Sequence, residues 1–450
     1  MLTIDKTIWG HPRGPENEHG LRIRRTLLVW SAAMVLGMFG WGVYFGLRQA
    51  WAIAVCDFAL AGIAAASGVL TLRGHIRSAI FLIAASLYFA VCLLCLVLDI
   101  PSAQAPRSAH HFILVMGMGT FFIFKSERPW LRHGVSLLCF VTYFVFASTP
   151  WGFDTPYAQP DDVRIPGTWL NNALALLVLY ALLYVMQSEM VAYNAMASEL
   201  RKGLLGNQFE LHYQPQTDGN GRIAGAEALV RWVHPVNGMV SPTEFIPVAE
   251  QTGLILPLGH WVLGTACAQL VRWSRDPSTA ELTIAVNVSA QQFKQPDYVN
   301  QVLSVLERSG AVASRLKLEL TESMLVNDVD DIIFKMTALR AQGVRLSLDD
   351  FGTGYSSLSY LKKLPLDQIK IDKSFVRDVL TNPNDAAIAR TVVTLANNMG
   401  LQIIAEGVET EGQRMFLAGI GCTAIQGYLL SRPLPINEFA AFLAAYNAKA

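Results

Sequence analysis

The sequence predicts two fold classes in series: an α-helical membrane unit of six spans, followed by an α/β barrel of the TIM type. Three observations carry that expectation. Of 450 residues, 52% are hydrophobic and only 16% charged, where a soluble globular protein has roughly a quarter charged. The apolar residues concentrate before about residue 188. Beyond it, short β-rich runs alternate with amphipathic stretches over a length close to the ~250 residues of an eight-fold strand–helix barrel. A single soluble domain is therefore excluded. Thirty-five Lys plus Arg balance thirty-five Asp plus Glu, so no basic excess draws the chain onto a nucleic-acid polymer. Of six cysteines, Cys56, Cys92, Cys95 and Cys139 sit in apolar runs; they make no disulfide framework, and a reduced compartment is the simpler reading.

The expected spans are Thr26–Gly46, Trp51–Leu72, Ser78–Leu98, Ser108–Phe124, Gly134–Phe153 and Gly167–Gln187. Each approaches the ~20 residues that carry a helix across a bilayer. The first is read as a retained anchor, with a cleaved signal peptide as the competing reading. If the spans alternate, Lys6, Arg13, Arg22, Arg24, Arg25, Arg73, Arg77, Lys125, Arg128 and Arg132 share one side, against Arg48, Arg107 and Arg164 on the other. Basic residues in short connections mark the cytoplasmic face, so both chain ends are expected there and the loop Pro150–Pro166 outside. Asp57 is an ionisable group inside a span, equally readable as an interfacial partner. His110 and His111 with Met116 and Met118, and Cys92 with Cys95, are candidate metal or redox groups; polar anchoring and small-residue packing are the plainer readings. With one charge inside the spans and no internal repeat, a transporter has little support.

From Met186 to Leu204 the chain is expected to leave the membrane as one helix. Met186, Met190, Tyr193, Ala197, Leu200 and Leu204 recur at spacings of four and three, a heptad seam that would pair two copies in parallel. An amphipathic helix resting on the next domain fits the same spacing. The domains are then an N-terminal segment over 1–25, a six-helix sensory unit over 26–187, a signalling helix over 188–206 and a barrel over 207–450.

Barrel strands are expected at Glu210–Gln216, Ala224–Trp232, Thr283–Val288, Lys317–Leu320, Arg345–Leu348, Gln368–Ile371, Gln402–Ala405 and Ala424–Gln426. Helical patterns at Pro242–Gln251, Trp261–Arg275, Val329–Gln342 and Ala386–Met399 separate most of them. The first link is too short for a crossover helix, which predicts an antiparallel hairpin.

In this scheme Glu227, Asn287, Glu319, Asp349, Asp350, Lys370 and Glu406 lie in or just after successive strands. They would converge on the rim of strand carboxyl ends, where such barrels hold their chemistry. Clustered carboxylates raise one another's pKa, and divalent cations relieve that. Oxygen ligands without His or Cys favour Mg²⁺ or Mn²⁺ over Zn²⁺. Two such ions bridged by one Asp activate a water and steady the leaving oxygen in phosphodiester hydrolysis. Asp349 and Asp350 are the candidate bridge, and Lys370 would hold the water or the growing phosphate charge. Each acid alone is as readily a helix cap or surface ion pair; the argument lies in the set.

The string EALVRW from Glu227 to Trp232 resembles the signature of the EAL family of cyclic di-GMP phosphodiesterases. It stands with YQPQ (Tyr213–Gln216), NVS (Asn287–Ser289), ELTES (Glu319–Ser323), DDFGTGYSS (Asp349–Ser357), KIDKSF (Lys370–Phe375), AEGVE (Ala405–Glu409) and QGYLLSRPLP (Gln426–Pro435). The resemblance implies a barrel that opens cyclic di-GMP to linear pGpG with two Mg²⁺ or Mn²⁺ ions. It implies Glu227, Asn287, Glu319 and Asp349 as ligands of one ion, and Asp349, Asp350 and Glu406 of the other. Lys370 resembles the lysine beside the nucleophilic water, and Gln426 a further catalytic residue near it. Gln214, Leu229 and Arg231 resemble the substrate clamp, with Asp350 also among the substrate contacts. Glu322 resembles the anchor of the loop Phe351–Ser357, whose Gly352 and Gly354 free the backbone to turn toward a dimer-forming region. No motif departs from the catalytic pattern and no GGDEF-like string occurs. The expectation is a homodimeric phosphodiesterase of the bacterial inner membrane, with its barrel in the cytoplasm and its signal unknown; the alternative is a catalytically silent cyclic di-GMP receptor.

Overall fold

The computed structural model describes residues 15–49, 51–124, 129–322, 324, 329–352 and 361–448. Lys6, Arg13, Lys125, Arg128 and the loop beyond Gly352, to which the sequence assigns sidedness and loop roles, lie outside the described residues. The chain divides into two compact units, Met1–Ala192 and Tyr193–Ala450.

The first unit is helical: α1 Pro15–Leu47, α2 Trp51–Leu72, α3 Ile76–Val97, α4 His111–Ile123, α5 Pro129–Ser148 and α6 Asp161–Leu205, the last continuing into the second unit. Helices satisfy every backbone group internally, as lipid demands, and five are long and apolar enough to cross a membrane. The fourth expected span is the exception. Ser108–Phe124 yields a helix of 13 residues, about 20 Å long at 1.5 Å per residue against a hydrocarbon core of ~30 Å. The helices alone therefore do not carry the six-span count.

The residues before α4 form a buried polar loop instead of helix. Asp99 Oδ2 accepts from the amides of Ser108 and Ala109, each at 2.8 Å, while its Oδ1 lies 3.2 Å from Arg164 Nη2. Arg107 donates to the carbonyls of Asp99 at 3.1 Å and Phe146 at 2.9 Å. Arg107 and Arg164, which the sequence counts among the few basic residues of the far side, are thus buried and paired.

His110 is buried, its ring 4.2 Å from His111 and 5.1 Å from Tyr143 between centroids. Cys92, Cys95 and Cys139 are free thiols in one apolar cluster with Met116. Asp57 Oδ2 is buried with no hydrogen-bond partner among the described residues.

In the second unit, β1 Phe209–Thr217 and β2 Ile223–His234 form the expected hairpin, antiparallel from Phe209↔Trp232 to Thr217↔Ile223. A short strand, β3 Gly238–Val240, folds back on β2. Then β4 Thr283–Val288, β5 Leu316–Thr321, β6 Arg345–Phe351, β7 Gln368–Ile371 and β8 Gln402–Ala405 pair in parallel, each on the last. Crossover helices such as Pro242–Thr252, Ile255–Trp273, Val329–Ala341 and Pro383–Asn398 return the chain, as parallel pairing requires.

The eighth expected strand, Ala424–Gln426, is reduced to two bridges, Ala405↔Ile425 and Gln216↔Gln426, which join β8 to β1. Just beyond it Gly427 runs against Val408, where a Cβ would lie 2.2 Å from the Val408 carbonyl oxygen, so only glycine fits. On the same edge of β1, opposite β2, lies β9, Leu434–Pro435.

Strands β5 to β7 alternate strictly. Leu316, Leu318, Leu320, Leu346, Leu348, Ile369 and Ile371 join the apolar core, while Lys317, Glu319, Ser347, Asp349, Gln368 and Lys370 are buried polar residues between them. Successive side chains on a strand face opposite ways, so the second set shares one face, the barrel interior.

The end of α6 settles part of the heptad question. Leu200 is fully buried in a cluster with Phe209, Trp232 and Phe245, and Met196 and Leu204 pack on it. The C-terminal half of the seam is thus occupied by the barrel's own side chains, whereas Met186 and Met190 are exposed.

Candidate active site

Strand alternation brings Lys370 of β7 into the barrel interior with no solvent exposure. Four carboxylates surround its Nζ: Glu319 at 2.5 Å, Asp349 at 3.4 Å, Glu227 at 3.6 Å, and Glu406 in close contact. These come from β5, β6, β2 and the residue just after β8, whose amide donates to the Ile371 carbonyl. Asn287 at the end of β4 donates from Nδ2 to Glu227 Oε1 at 2.5 Å. All the predicted ligands but Asp350 are therefore linked directly through Lys370 or Glu227.

Asp349 and Asp350 are consecutive, and an undisturbed strand would aim them in opposite directions. A bulge between Leu348 and Phe351 interrupts the pairing of β6 with β7, and Asp350 adopts a left-handed φ of 54°, which Asp tolerates better than most residues. The Asp350 amide donates to Asp349 Oδ1 at 2.9 Å.

Gln426 fixes the opposite wall. Its Nε2 donates to Glu227 Oε2 at 2.5 Å and Gln214 Oε1 at 2.9 Å, and its Oε1 accepts from Gln216 at 2.8 Å. Gln216 was not singled out from the sequence, although alternation from Gln214 on the same strand puts it on the same face. Leu229 and Arg231 follow Glu227 at two-residue steps along β2 and are half-buried; Arg231 donates to the Val230 carbonyl at 2.9 Å. At the rim, Glu322 Oε2 accepts from the Gly352 amide at 3.0 Å. Gly352 has φ 101°, and a Cβ there would lie 2.9 Å from the Phe375 ring, so only glycine fits.

The electrostatics follow from four acids facing one base in a largely buried site. Burial pushes the Glu319 carboxyl up to about 8, with Glu227 and Asp349 adding repulsion that Lys370 only partly offsets. Burial likewise lifts Glu406 well above the ordinary carboxylate range, and burial with Asp349 and Asp372 lifts Asp350 to about 6. Burial opposes charge on Lys370 too, but Asp349, Glu227, Glu319 and Glu406 outweigh it and hold the ammonium well above its usual range. Glu227 is held low: burial raises it, and Lys370, Gln426 and Asn287 more than reverse that.

Excess buried negative charge fits a hard divalent cation, and Glu319 Oε1 is buried with no hydrogen-bond partner among the described residues. With the ammonium among the acids, no three His, Cys, Asp or Glu side chains among the described residues are grouped to hold a metal. Lys370 and a cation would thus compete for the same oxygens.

A pH dependence follows from the raised carboxyls. Between the ordinary carboxylate pKa and the folded value of about 8 for Glu319, the folded state keeps protons that the unfolded chain has lost, so stability falls as pH rises. Glu227, with its lowered pKa, contributes with the opposite sign below that window. Calorimetry of the metal-free chain in detergent is expected to show the barrel's melting temperature falling from about pH 5 to pH 8. Added Mn²⁺ should raise it by more at higher pH, because metal binding displaces protons.

The family described as EAL domain matches residues 197–433. The chain is 46% identical over 247 residues to the bifunctional diguanylate cyclase/cyclic di-GMP phosphodiesterase MucR of Pseudomonas aeruginosa, covering 55% of this chain and 36% of that protein. It is 44% identical over 253 residues to the cyclic di-GMP phosphodiesterase NbdA of the same species, covering 56% and 32%. The chain spans about a third of the length of these curated relatives. A solved structure of the PaMucR phosphodiesterase in complex with c-di-GMP matches with a TM-score of 0.53 and 45% identity, over 54% of this chain and 99% of that one. The EAL enzyme Bd1971 in its cAMP-bound form matches with a TM-score of 0.53 and 31% identity, over 60% and 75%. With that family matched over more than half its length, the chain belongs to the EAL domain family.

Proposed function

We propose that this chain is a membrane-bound phosphodiesterase that opens cyclic di-GMP to linear pGpG, using two Mg²⁺ or Mn²⁺ ions held at the carboxyl ends of the barrel strands. The observation that carries this reading is the ring of Glu227, Glu319, Asp349 and Glu406 around Lys370. Similarity to MucR and NbdA supports the substrate.

Bound ions supply an activated water and stabilise the leaving oxygen. Glu227, Asn287, Glu319 and Asp349 would hold one, and Asp349, Asp350 and Glu406 the other. Lys370 orients the attacking water and meets the growing phosphate charge as a point charge. Gln426, braced by Gln214 and Gln216, keeps Glu227 turned to its ion. Arg231 grips a phosphate through its guanidinium fork, with Gln214, Leu229 and Asp350 completing the substrate contacts. Glu322 ties the loop after β6 to the metal-bearing strand through Gly352. Residues 26–187 act as sensor and 188–206 as signalling helix, and the exposed Met186 and Met190 pair two copies into a homodimer.

The whole protein in detergent, given Mn²⁺ and cyclic di-GMP, is expected to accumulate pGpG. Retention of cyclic dinucleotide without pGpG would leave a receptor in place of an enzyme.

We place both chain ends, the barrel included, on the cytoplasmic side of a bacterial inner membrane, which requires α4 and the buried loop before it to complete a crossing. A cysteine at exposed position 154 (Asp154→Cys) is then expected to react with an impermeant maleimide from outside the cell. Protection of that cysteine until the membrane is opened would put the barrel on the far side and, with the N-terminal end cytoplasmic, would mean that α4 does not cross.

A further inference from the structure

Beneath the carboxylate ring lies a second polar layer that the proposed reaction does not use. Lys317, Ser347 and Gln368 are each two residues before Glu319, Asp349 and Lys370 on β5, β6 and β7, and are 6%, 0% and 5% exposed. Lys317 Nζ donates to Gln368 Oε1 at 2.7 Å, and Ser347 Oγ to the same oxygen at 3.4 Å. The upper and lower layers are built alike: Lys370 of β7 reaches across β6 to Glu319 of β5 at 2.5 Å, and Lys317 of β5 reaches across β6 to Gln368 of β7. Two cross-ties run in opposite senses between the same two strands, one inward-facing step apart.

We propose that Lys317, through Gln368, is a positioning residue that sets the separation and rotation of β5 and β7 and so keeps Glu319 and Lys370 aligned for the metal site. Barrel interiors are ordinarily filled by bulky branched residues, and replacing a buried ionic group with apolar side chains is often neutral or stabilising. Bulk stability therefore does not account for a lysine here. The layer stands directly under the ligands, where supporting hydrogen bonds typically change metal affinity or activity by 10- to 100-fold.

The inference rests on the two-metal reading, and its test reads metal binding without turnover. In the whole protein in detergent, Lys317→Met combined with Gln368→Leu removes both partners and leaves no orphaned acceptor between them. Calorimetric titration with Mn²⁺ alone is expected to show affinity about 10- to 100-fold weaker than wild type, with the melting temperature of the metal-free protein close to wild type. Steady-state kinetics should show kcat lowered by a similar factor and KM within about twofold. Lys317→Gln, which keeps a hydrogen bond to Gln368, should recover most of the loss. Mn²⁺ affinity and kcat both at wild-type levels in the double variant would make the lower tie a structural filler. Tighter Mn²⁺ binding would show that Lys317 acts only as repelling charge, which also overturns the positioning role. If wild type itself takes up no Mn²⁺, the two-metal reading fails and this inference with it.

Discussion

Lys370→Met is expected to lower cyclic di-GMP turnover by about 10³-fold while tightening Mn²⁺ binding. The two effects have one origin. The Lys370 ammonium lies within 3.6 Å of Glu227, Glu319 and Asp349 and in contact with Glu406, so it occupies the oxygens that a cation would use. Removing it frees those oxygens but takes away the group proposed to meet charge growing on the phosphate. Without metal, the variant leaves buried acids uncompensated, at a cost of about 3–5 kcal/mol. Its melting temperature should fall in chelator and recover with Mn²⁺. Steady-state kinetics and calorimetry check both halves; an unchanged rate would remove Lys370 from the mechanism.

Asp349→Asn should be as damaging to turnover, again about 10³-fold, but with metal binding lost instead of strengthened. Asn keeps the shape and one acceptor oxygen, so the 2.9 Å hydrogen bond from the Asp350 amide can persist and the bulge with it. What disappears is the charge that the proposed pair of ions would share. Calorimetry is expected to show weakened Mn²⁺ binding at both sites, while cyclic di-GMP affinity in chelator, which the proposed contacts of Gln214 and Arg231 would carry, stays near wild type. Loss of a single Mn²⁺ with the other unaffected would show that Asp349 does not bridge.

Much of the barrel was legible because its strands keep a period of two: KLELT, RLSLD and QIKI each announce which side chains face the core and which face inward. The hairpin was legible for a simpler reason, since a link too short for a helix forces antiparallel pairing. Other features depend on neighbours that local pattern does not name. Ala424–Gln426 reads as a strand, yet it makes only two isolated bridges, one to β8 and one to β1. Ser108–Phe124 reads as one unbroken helix, yet Asp99 draws the amides of Ser108 and Ala109 into a buried loop with Arg107 and Arg164, which leaves 13 helical residues. Leu200 and Leu204 fit either a dimer seam or a helix resting on the next domain, and their place on the cluster around Trp232 decides for the second.

By itself the sequence determined the two-part character of this chain and the residues that line each strand's inner face, because composition and side-chain alternation are properties of consecutive residues. Only the tertiary structure decided that four acids from four separate strand ends share one ammonium. It alone revealed that Lys317 and Gln368 repeat that tie one layer below. Those distances are set by strand order, register and one bulge, which arise from closing the sheet and are written in no single stretch of chain.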